Sequence, residues 1–352
     1  MELSPEIKAQ LAEQKKQCIH CKLLSGEIPN AHIVFQDDKT AALLDIYPAV
    51  KGHAVYLLKE HYPMPVYIPG EEFRRKCALI PGLSKAIKSG MVKTGITIFM
   101  AIGSAAGQQS YHFLAHFLPR EENDGFFNFL FSKKVGALVE ADAQLLTQTI
   151  FTQMNNYFVK NPASWHTEKG NIPSYLTEIY ETSTVIYEDE KILCIAPPKG
   201  MAKGHLIIYS KTEEKYIERL SQEDSVHLFS AASLASTAVF EHFKAQGTNV
   251  ILKSGECDDN PRGKLEVHIF PRWQNDPLQE LVWSPKQPNY DLGSIAKKIK
   301  EETWKVEYVA DKQTKPTEEK KVNTKTEVLK PTPTPQTAAE EINKAINSFK
   351  IS

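Results

Sequence analysis

Two short segments of this chain alternate side chains that could line a reactive pocket. They read His112-Phe-Leu114-Ala-His116 and Lys264-Leu-Glu266-Val-His268. On a strand, residues two apart share one face, so each segment presents three alternate side chains to one side of a pocket. The middle position differs chemically between the two, because leucine cannot act as a nucleophile whereas a carboxylate can.

A second motif with chemical potential is the pair Cys18 and Cys21. The spacing brings two thiolates within reach of one ion, and zinc binds four nitrogen or sulfur ligands. In a cytoplasmic protein the same spacing also occurs as a redox pair or without function. Cys77, Cys194 and Cys257 are scattered, and the first two are expected to be small buried hydrophobic residues.

A shift of 152 residues relates the two alternating segments and several others. It carries Lys51-Gly-His53 onto Lys203-Gly-His205 and Gly103 onto Gly255. A register without gaps over roughly eighty residues indicates an internal duplication of one type of domain.

The elements that would position these motifs are short strands and one helix per copy. Apolar runs in the first copy predict strands at 31–35, 40–44, 53–58, 96–100 and 111–118. Glu71 to Gly90 has helical spacing, which Pro81 should break or kink. The second copy has a stronger helical pattern from Gln222 to Ala245. We therefore predict an α+β fold, with an antiparallel sheet and a packed helix in each copy.

The predicted domain order has five parts. These are a polar N-terminal segment (1–13), a first domain (14–135), a helical linker (136–173), a second domain (174–310) and a tail (311–352). The tail is charged, contains prolines and has few apolar residues, so it is expected to be disordered. The end of the tail, from Ala338 to Ile351, could form a short amphipathic helix or could be frayed, and the sequence leaves both alternatives open. A protein partner for the tail is a further expectation.

Length and composition exclude several classes of protein. A chain of 352 residues can bury two separate cores. With 42 basic and 43 acidic residues, nothing indicates a nucleic-acid or anionic-membrane partner. No segment approaches the roughly 20 apolar residues needed to span a bilayer, and the N-terminal residues do not resemble a signal peptide. Five cysteines, an odd number, favour a reducing compartment, so we expect a cytoplasmic protein.

Together, these motifs resemble the histidine-triad (HIT) family of nucleotide hydrolases and transferases. Cys18–Pro29 is similar to its N-terminal signature, Leu44–Pro48 to its base and ribose segment, and Ala105–Gln108 to its phosphate loop. The resemblance covers most of 18–120 and, more weakly, 183–272. Members usually pair through the helix and a central strand into one continuous sheet. The resemblance therefore implies a pseudo-dimer within one chain, which we expect to be a monomer.

The family motif is His-x-His-x-His, and its middle histidine attacks the nucleotide α-phosphate to form a covalent intermediate. Leu114 and Glu266 occupy that position here. Losing a covalent nucleophile commonly lowers the rate by roughly 10⁴ to 10⁶. The resemblance implies that His53 orients the nucleophile and that His116 contacts the phosphate and leaving group. Both are read as residual or relic catalytic residues.

The resemblance also implies a nucleotide site in the first copy, with a carboxylate for the ribose, an apolar side chain for the base and polar groups for the phosphate. The matching residues are Asp45, Ile46, Gly107, Gln108 and His116. In the second copy Pro197 replaces the ribose-binding aspartate, and Asp258 and Asp259 stand in the phosphate loop, where their charge should repel a phosphate. The second copy is therefore predicted to be a structural or partner domain.

Family members with the paired cysteines complete a zinc site with two histidines. The residues that match the four ligands are Cys18, Cys21, His61 and His112. The second copy lacks both cysteines and has Lys264 in place of His112, so structural zinc is expected only in the first domain.

Three functions remain open from the sequence. The leading prediction is a catalytically impaired HIT-like protein that binds a purine nucleotide or related phosphate through its first domain. The second is an active nucleotidyl hydrolase or transferase with a non-standard mechanism. The third is a protein-interaction scaffold.

Overall fold

The computed structural model describes residues 4–29, 32–131 and 135–309 of the 352-residue chain. The predicted tail at 311–352, with the helix considered for Ala338 to Ile351, lies outside the described residues. The helices are α1 (Pro5–Gln17), α2 (Ile19–Ser25), α3 (Gly70–Ala78), α4 (Ile80–Met91), α5 (Glu140–Lys160), α6 (Thr177–Thr182), α7 (Gln222–Phe243) and α8 (Leu292–Glu302). The strands are β1 (Ile33–Gln36), β2 (Thr40–Leu44), β3 (Ala54–Leu58), β4 (Gly95–Ile102), β5 (Ala115–Arg120), β6 (Thr184–Glu188), β7 (Ile192–Ala196), β8 (Leu206–Ser210), β9 (Gly247–Ser254) and β10 (Glu266–Arg272).

All the strands of this list join in a single sheet with the order β1-β2-β3-β5-β4-β9-β10-β8-β7-β6. The central pair, β4 and β9, is antiparallel, and these two strands are equivalent under the 152-residue shift. Phe99 lies opposite its own equivalent, Ile251, so a pseudo-two-fold axis passes between them. The predicted α+β fold with an intramolecular pseudo-dimer is confirmed.

The main helix is continuous in the second copy and interrupted at one residue in the first. In the second copy α7 is a continuous helix of 22 residues, whereas the first copy divides the equivalent stretch into α3 and α4 at Leu79. Pro81 lies in the first turn of α4 and has no N–H to donate to the Cys77 carbonyl. The hydroxyl of Ser225 in α7 donates to that carbonyl instead, at 2.8 Å. The break predicted from Pro81 is therefore confirmed.

The helix that follows each copy packs on the opposite copy. Helix α5 follows the first copy but contacts α7 and β6, whereas α8 follows the second copy and contacts α4 and β1. The two helices begin at equivalent positions, Glu140 and Leu292. The copies thus exchange their last helices, which makes each core depend on both halves of the chain.

A buried ion pair also joins the copies beside the central strands. Arg120 at the end of β5 donates to Asp259 at 2.9 Å, and both side chains are fully buried. The same guanidinium donates to Asp124 and to the Phe126 carbonyl. A buried pair with several hydrogen bonds is strongly destabilised when one partner is removed, because the other charge stays buried.

Within the part of the chain that the structure describes, no helix combines the length and apolar character that crossing a bilayer requires.

Replacing Gly90 by alanine should destabilise the protein. Helices α4 and α8 cross so closely that a Cβ at Gly90 would lie 2.7 Å from the Ile299 Cα and 2.9 Å from the Lys298 carbonyl oxygen. Separating the two backbones should lower the free energy of unfolding by about 1–2 kcal/mol, net of the better helix propensity of alanine. Urea unfolding monitored by circular dichroism measures this change.

The matched control is Gly82→Ala in the same helix, whose Cβ would meet Val306 only at ordinary contact distances of 3.6 Å and above. That variant should be neutral or slightly stabilised. Equal destabilisation of the two variants would contradict the close helix crossing.

Candidate functional site

Four potential metal ligands meet in the first copy: Cys18, Cys21, His61 and His112. The Cys21 sulfur lies 3.4 Å from Nδ1 of His61 and 3.7 Å from Nδ1 of His112. The Cys18 sulfur lies 3.8 Å from Nδ1 of His112. In a tetrahedral zinc site, sulfur and nitrogen ligands would lie about 3.6 Å apart, given the usual bond lengths. The cluster therefore has the spacing of a tetrahedral metal site.

Three different elements bring these ligands together. Cys18 immediately precedes α2 and Cys21 lies in its first turn, so residues three apart share one face of the helix. His61 follows strand β3, and His112 precedes β5. His20 is not one of the four clustered ligands, and its Nδ1 lies 3.0 Å from the Ser110 hydroxyl.

The protonation states of the four side chains favour the binding of a cation. A hydrogen bond from the Cys21 thiol lowers the pKa of Cys18, and the same interaction raises the pKa of Cys21. Burial lowers the pKa of His112 and so favours a neutral imidazole. Metal binding needs deprotonated cysteines and neutral histidines, and it would also remove the remaining thiol proton. Nδ1 of His61 and of His112 is the ring atom directed at the cysteine sulfurs. Among the described residues, Nε2 of each ring is buried without a hydrogen-bond partner.

A second constellation joins two of the histidines that the sequence singled out, His53 and His116. Nε2 of His53 lies 3.0 Å from Nδ1 of His116. The backbone N–H of Ala49 donates to Nδ1 of His53 at 3.2 Å. His53 must therefore carry its proton on Nε2 and donate it to His116, which leaves the His116 proton on its own Nε2. The hydrogen bonds therefore run in one direction, from the Ala49 amide to His53 and from His53 to His116.

Burial keeps this pair uncharged. It lowers the pKa of His53 from an ordinary 6.5 to about 3, and the pKa of His116 likewise to about 3, with His53 adding a smaller effect. A neutral imidazole with a fixed tautomer can donate one hydrogen bond but is a poor source of positive charge for a phosphate.

The second copy repeats the pair and extends it. The amide of Met201 donates to Nδ1 of His205, whose Nε2 lies 3.1 Å from Nδ1 of His268. Nε2 of His268 in turn lies 3.0 Å from the Glu266 carboxylate. Burial is the largest single effect and would raise the pKa of Glu266, but the charge and hydrogen bond of His268, together with the charges of Lys253 and Lys264, lower that pKa to about 2. Glu266 is thus an ionised acceptor that is already engaged by protein donors.

The middle position of the first copy is apolar and packed. Leu114 is buried in a cluster with Leu43, Val55 and Leu57 of strands β2 and β3. Leu23 and Leu24 of α2 pack against the same cluster. Leu114 therefore contributes to the apolar contact between the sheet and the helix that carries the paired cysteines.

Sequence reasoning missed the aromatic residue that covers each histidine pair. The ring of Trp283 lies 5.3 Å from His53 and 5.4 Å from His116, centroid to centroid. Phe131, its equivalent under the 152-residue shift, lies 4.6 Å from His268 in the second copy. The segments that follow β5 and β10, which we call the crossing segments (121–131 and 273–283), thus reach the opposite copy. The shift itself relates Phe131 to Trp283, but a repeat does not indicate which copy a residue contacts.

Asp45 and Ile46, predicted to bind a ribose and a base, lie just after strand β2. Asp45 accepts a hydrogen bond from the Tyr47 amide at 2.8 Å, and its other oxygen lies 3.8 Å from Nδ1 of His53. Ile46 is exposed. Their nucleotide contacts remain predictions.

Residues of the predicted phosphate loop form hydrogen bonds and packing contacts with other parts of the protein. The Gln108 carboxamide donates to the carbonyls of Pro63 and Ser110 and accepts from the Gly103 amide. A Cβ at Gly107 would lie only 2.3 Å from a Val282 methyl group, so the crossing segment packs directly on this loop. Anion binding at Gly107 and Gln108 remains a prediction.

Asp258 and Asp259 act differently from the expectation that they repel a phosphate. Asp259 forms the buried ion pair with Arg120. Asp258 accepts hydrogen bonds from the amides of Asn123 and Gly125 at 2.6 and 3.1 Å. Asp258 therefore holds the first crossing segment directly, whereas Asp259 binds Arg120, which donates to the Phe126 carbonyl of that segment. The repulsion argument does not describe their environment.

Comparison with known families identifies the repeated unit. A family model described as HIT domain matches residues 25–123 and again 178–275, together more than half of the chain. The chain belongs to the HIT family. The tandem HIT duplication predicted from the sequence is confirmed.

Two HIT relatives each match about a third of the chain. An uncharacterized HIT-like protein of Borreliella burgdorferi is 34% identical over 133 residues, which is 37% of this chain and 94% of that protein. Adenylylsulfatase HINT3 of Arabidopsis thaliana is 30% identical over 117 residues, or 33% of this chain and 59% of that protein. A solved GalT-like protein of Arabidopsis thaliana has a TM-score of 0.47 and 14% identity, and the match covers 77% of this chain and 89% of that one.

Acid should destabilise this HIT protein through the buried pair of His53 and His116. Both pKa values are lower in the folded state than in the unfolded chain, so the unfolded chain binds more protons between about pH 6.5 and pH 3. Their contribution is present above pH 6.5 and is lost as the pH falls. At pH 5 the expected loss is about 2 kcal/mol for each histidine.

Urea unfolding at pH 7 and pH 5 tests this expectation in the wild type and in the His53→Gln/His116→Gln variant. The variant should lose less stability between the two pH values, because it lacks both groups. Equal losses in the two proteins would show that the pair is protonated without cost.

Proposed function

We propose that this protein is a catalytically impaired HIT protein that binds a nucleotide or related phosphate through its first domain. The observation that carries the proposal is the state of the first site. Its His53–His116 hydrogen bond is intact, whereas Leu114 occupies the nucleophile position and packs with apolar residues. A site with preserved orientation but no nucleophile supports binding without covalent turnover.

Two features support a nucleotide as the ligand. The Asp45 carboxylate lies 3.8 Å from Nδ1 of His53, and the next residue, Ile46, has an exposed apolar side chain. A relative of 30% identity is named an adenylylsulfatase, and that name denotes an activity on an adenylyl compound. For this chain, the nucleotide remains part of the proposal.

Structural zinc in the first domain is the second part of the proposal. The tetrahedral spacing of Cys18, Cys21, His61 and His112 supports it, as does the burial of all of them except the half-buried Cys21. Bound zinc would be held by all four side chains, with no open position for a reacting water. The residues would therefore fix α2 against the sheet rather than take part in chemistry.

The second domain is proposed to be structural. Its Glu266 is held by His268, and Lys253 fills neighbouring space by donating to the carbonyls of Phe129 and Asp259 at 2.7 and 3.0 Å. These contacts make the second site an internal polar network. Trp283 of the second domain also packs against His53 of the first site.

Turnover of adenosine 5′-phosphoramidate tests the catalytic part of the proposal. The wild type should show no rate above that of His116→Ala, because both lack the nucleophile. Leu114→His should restore measurable hydrolysis, since it returns an imidazole to the strand face shared with His116. The matched control is Glu266→His in the second copy, which should remain inactive. Wild-type turnover that His116→Ala abolishes would instead establish an enzyme with a non-standard mechanism.

Metal analysis tests the zinc site. The purified protein should contain one equivalent of zinc, and Cys18→Ser/Cys21→Ser should contain none and unfold at a lower temperature. His20→Ala is the control, because His20 lies between the cysteines but is not one of the four clustered ligands. A fully folded wild-type protein without metal would contradict this part of the proposal.

A further inference from the structure

Helices α1 and α2 have few buried contacts with the rest of the first domain. Neither helix contains a buried residue. Leu23 and Leu24 of α2 are only partly buried where they pack on strands β2 and β3. The ion pair between Lys15 and Glu60 is exposed, and pairs of this kind contribute little to stability. Cys18, which joins the two helices, is by contrast buried in the ligand cluster.

The second copy holds the equivalent segment in a different way. Leu176, the equivalent of Leu24 under the 152-residue shift, is fully buried in an apolar cluster with residues of β7 and β8. Gly170 and Pro173 stand at the positions of the two cysteines. The second copy thus anchors this segment by apolar burial, whereas the first copy anchors it through the ligand cluster.

Loss of the sulfur ligands would leave two buried imidazoles without partners. Among the described residues, Nε2 of His61 and of His112 has no hydrogen-bond partner, and Nδ1 of each ring faces the cysteine sulfurs. An unsatisfied buried polar group destabilises the fold around it. The His112 amide also donates to the Ser110 hydroxyl, which His20 of α2 contacts at 3.0 Å. A chemical change at the sulfurs would therefore loosen the contact between α2 and the loop that precedes β5.

Cys21 is the cysteine that solvent can reach. The structure describes all five cysteines of the chain, and Cys21 is half-buried whereas the other four are buried. Oxidation selects cysteines that are accessible and have thiolate character, and a metal-bound cysteine is deprotonated. An oxidant should therefore react first at Cys21.

Cys18 is placed to react with an oxidised Cys21. The ligand atoms of the cluster, including both sulfurs, lie within 4.8 Å of one another. Cys18 has an extended backbone, with φ of −73° and ψ of 117°, so the helix does not fix its side chain. A disulfide needs the sulfurs about 2.05 Å apart, which is much closer than two ligands of one metal ion lie. Forming the bond therefore draws the sulfurs out of the ligand cluster.

We propose that Cys18 and Cys21 are a reversible oxidation site, at which a hydroperoxide converts the pair to a disulfide and so loosens α1 and α2 from the sheet. The metal release that accompanies this step rests on the zinc site of the proposed function. The disulfide and the loosening of the two helices do not.

Two steps account for all atoms and electrons. The Cys21 thiolate attacks one oxygen of the peroxide, and the O–O bond breaks to give a sulfenic acid and, from hydrogen peroxide, hydroxide. The Cys18 thiolate then attacks the Cys21 sulfur, the S–O bond breaks and a second hydroxide leaves. The sulfurs lose two electrons in total to the peroxide, and both hydroxides take up protons to form water. Only two of the four ligands that a structural zinc site needs then remain.

Treatment of the zinc-loaded full-length protein with hydrogen peroxide tests the proposal. A chromogenic chelator should detect the loss of all bound zinc, and mass spectrometry of non-reduced peptides should find a disulfide between Cys18 and Cys21. Amide hydrogen exchange should become faster in residues 5–25, while residues 174–182 of the second copy should keep their protection. Dithiothreitol with added zinc should reverse these changes.

Two variants serve as controls. Cys77→Ala/Cys194→Ala/Cys257→Ala keeps the pair and should respond as the wild type does; the peptide map of the wild type assigns the oxidised pair even where this variant does not fold. Cys18→Ala should form no disulfide and should accumulate a Cys21 sulfenic acid that dimedone traps, because no second thiol is near to react with it.

Two results would overturn the proposal. One is a zinc-loaded protein that keeps its metal and both thiols under peroxide, and the other is a disulfide that leaves hydrogen exchange in residues 5–25 unchanged. A protein purified without zinc that still forms the disulfide and loses protection in residues 5–25 would contradict the zinc site but support the oxidation site. The two proposals thus fail on different measurements.

Discussion

The antiparallel pairing of β4 with β9 is the contact on which the rest of the structure depends. Because these strands are equivalent, Phe99 pairs with Ile251 and every other contact between the copies is placed around the same axis. Each copy alone would have two edge strands, and this pairing covers one edge of each copy. The buried pair of Arg120 and Asp259 lies beside it and ties the loop regions to the same centre.

The sequence predicts this frame well because the repeat and the apolar alternation are local signals. The strand at Thr40–Leu44 has the predicted bounds, and Pro81 interrupts a helix whose equivalent in the second copy is continuous. The ligand cluster around Cys18 and Cys21 also comes together as the family resemblance implied. The exchange of α5 and α8 could not be predicted, because a repeat defines equivalent residues without defining which copy they contact. Trp283 was missed for the same reason.

Fusion of the copies allows them to differ. In a dimer of identical chains, a substitution at the middle triad position would appear in both sites at once. Here one site has Leu114, which packs with α2, and the other has Glu266, which accepts a hydrogen bond from His268. The metal ligands are likewise confined to one half, where His112 is matched by Lys264 in the other. The proposed function uses this difference, with the metal and the ligand assigned to one half and a supporting role to the other.

The exchange of helices has a consequence for synthesis of the chain. Helix α4 ends at Met91, yet the helix that covers it, α8, begins only at Leu292. On the ribosome, the first copy would therefore expose part of its apolar surface until almost all of the second copy had emerged. Contacts so distant in the sequence also slow folding, since long loops must close before they form. A chaperone would therefore be most useful to this protein while the first domain has emerged and α8 has not.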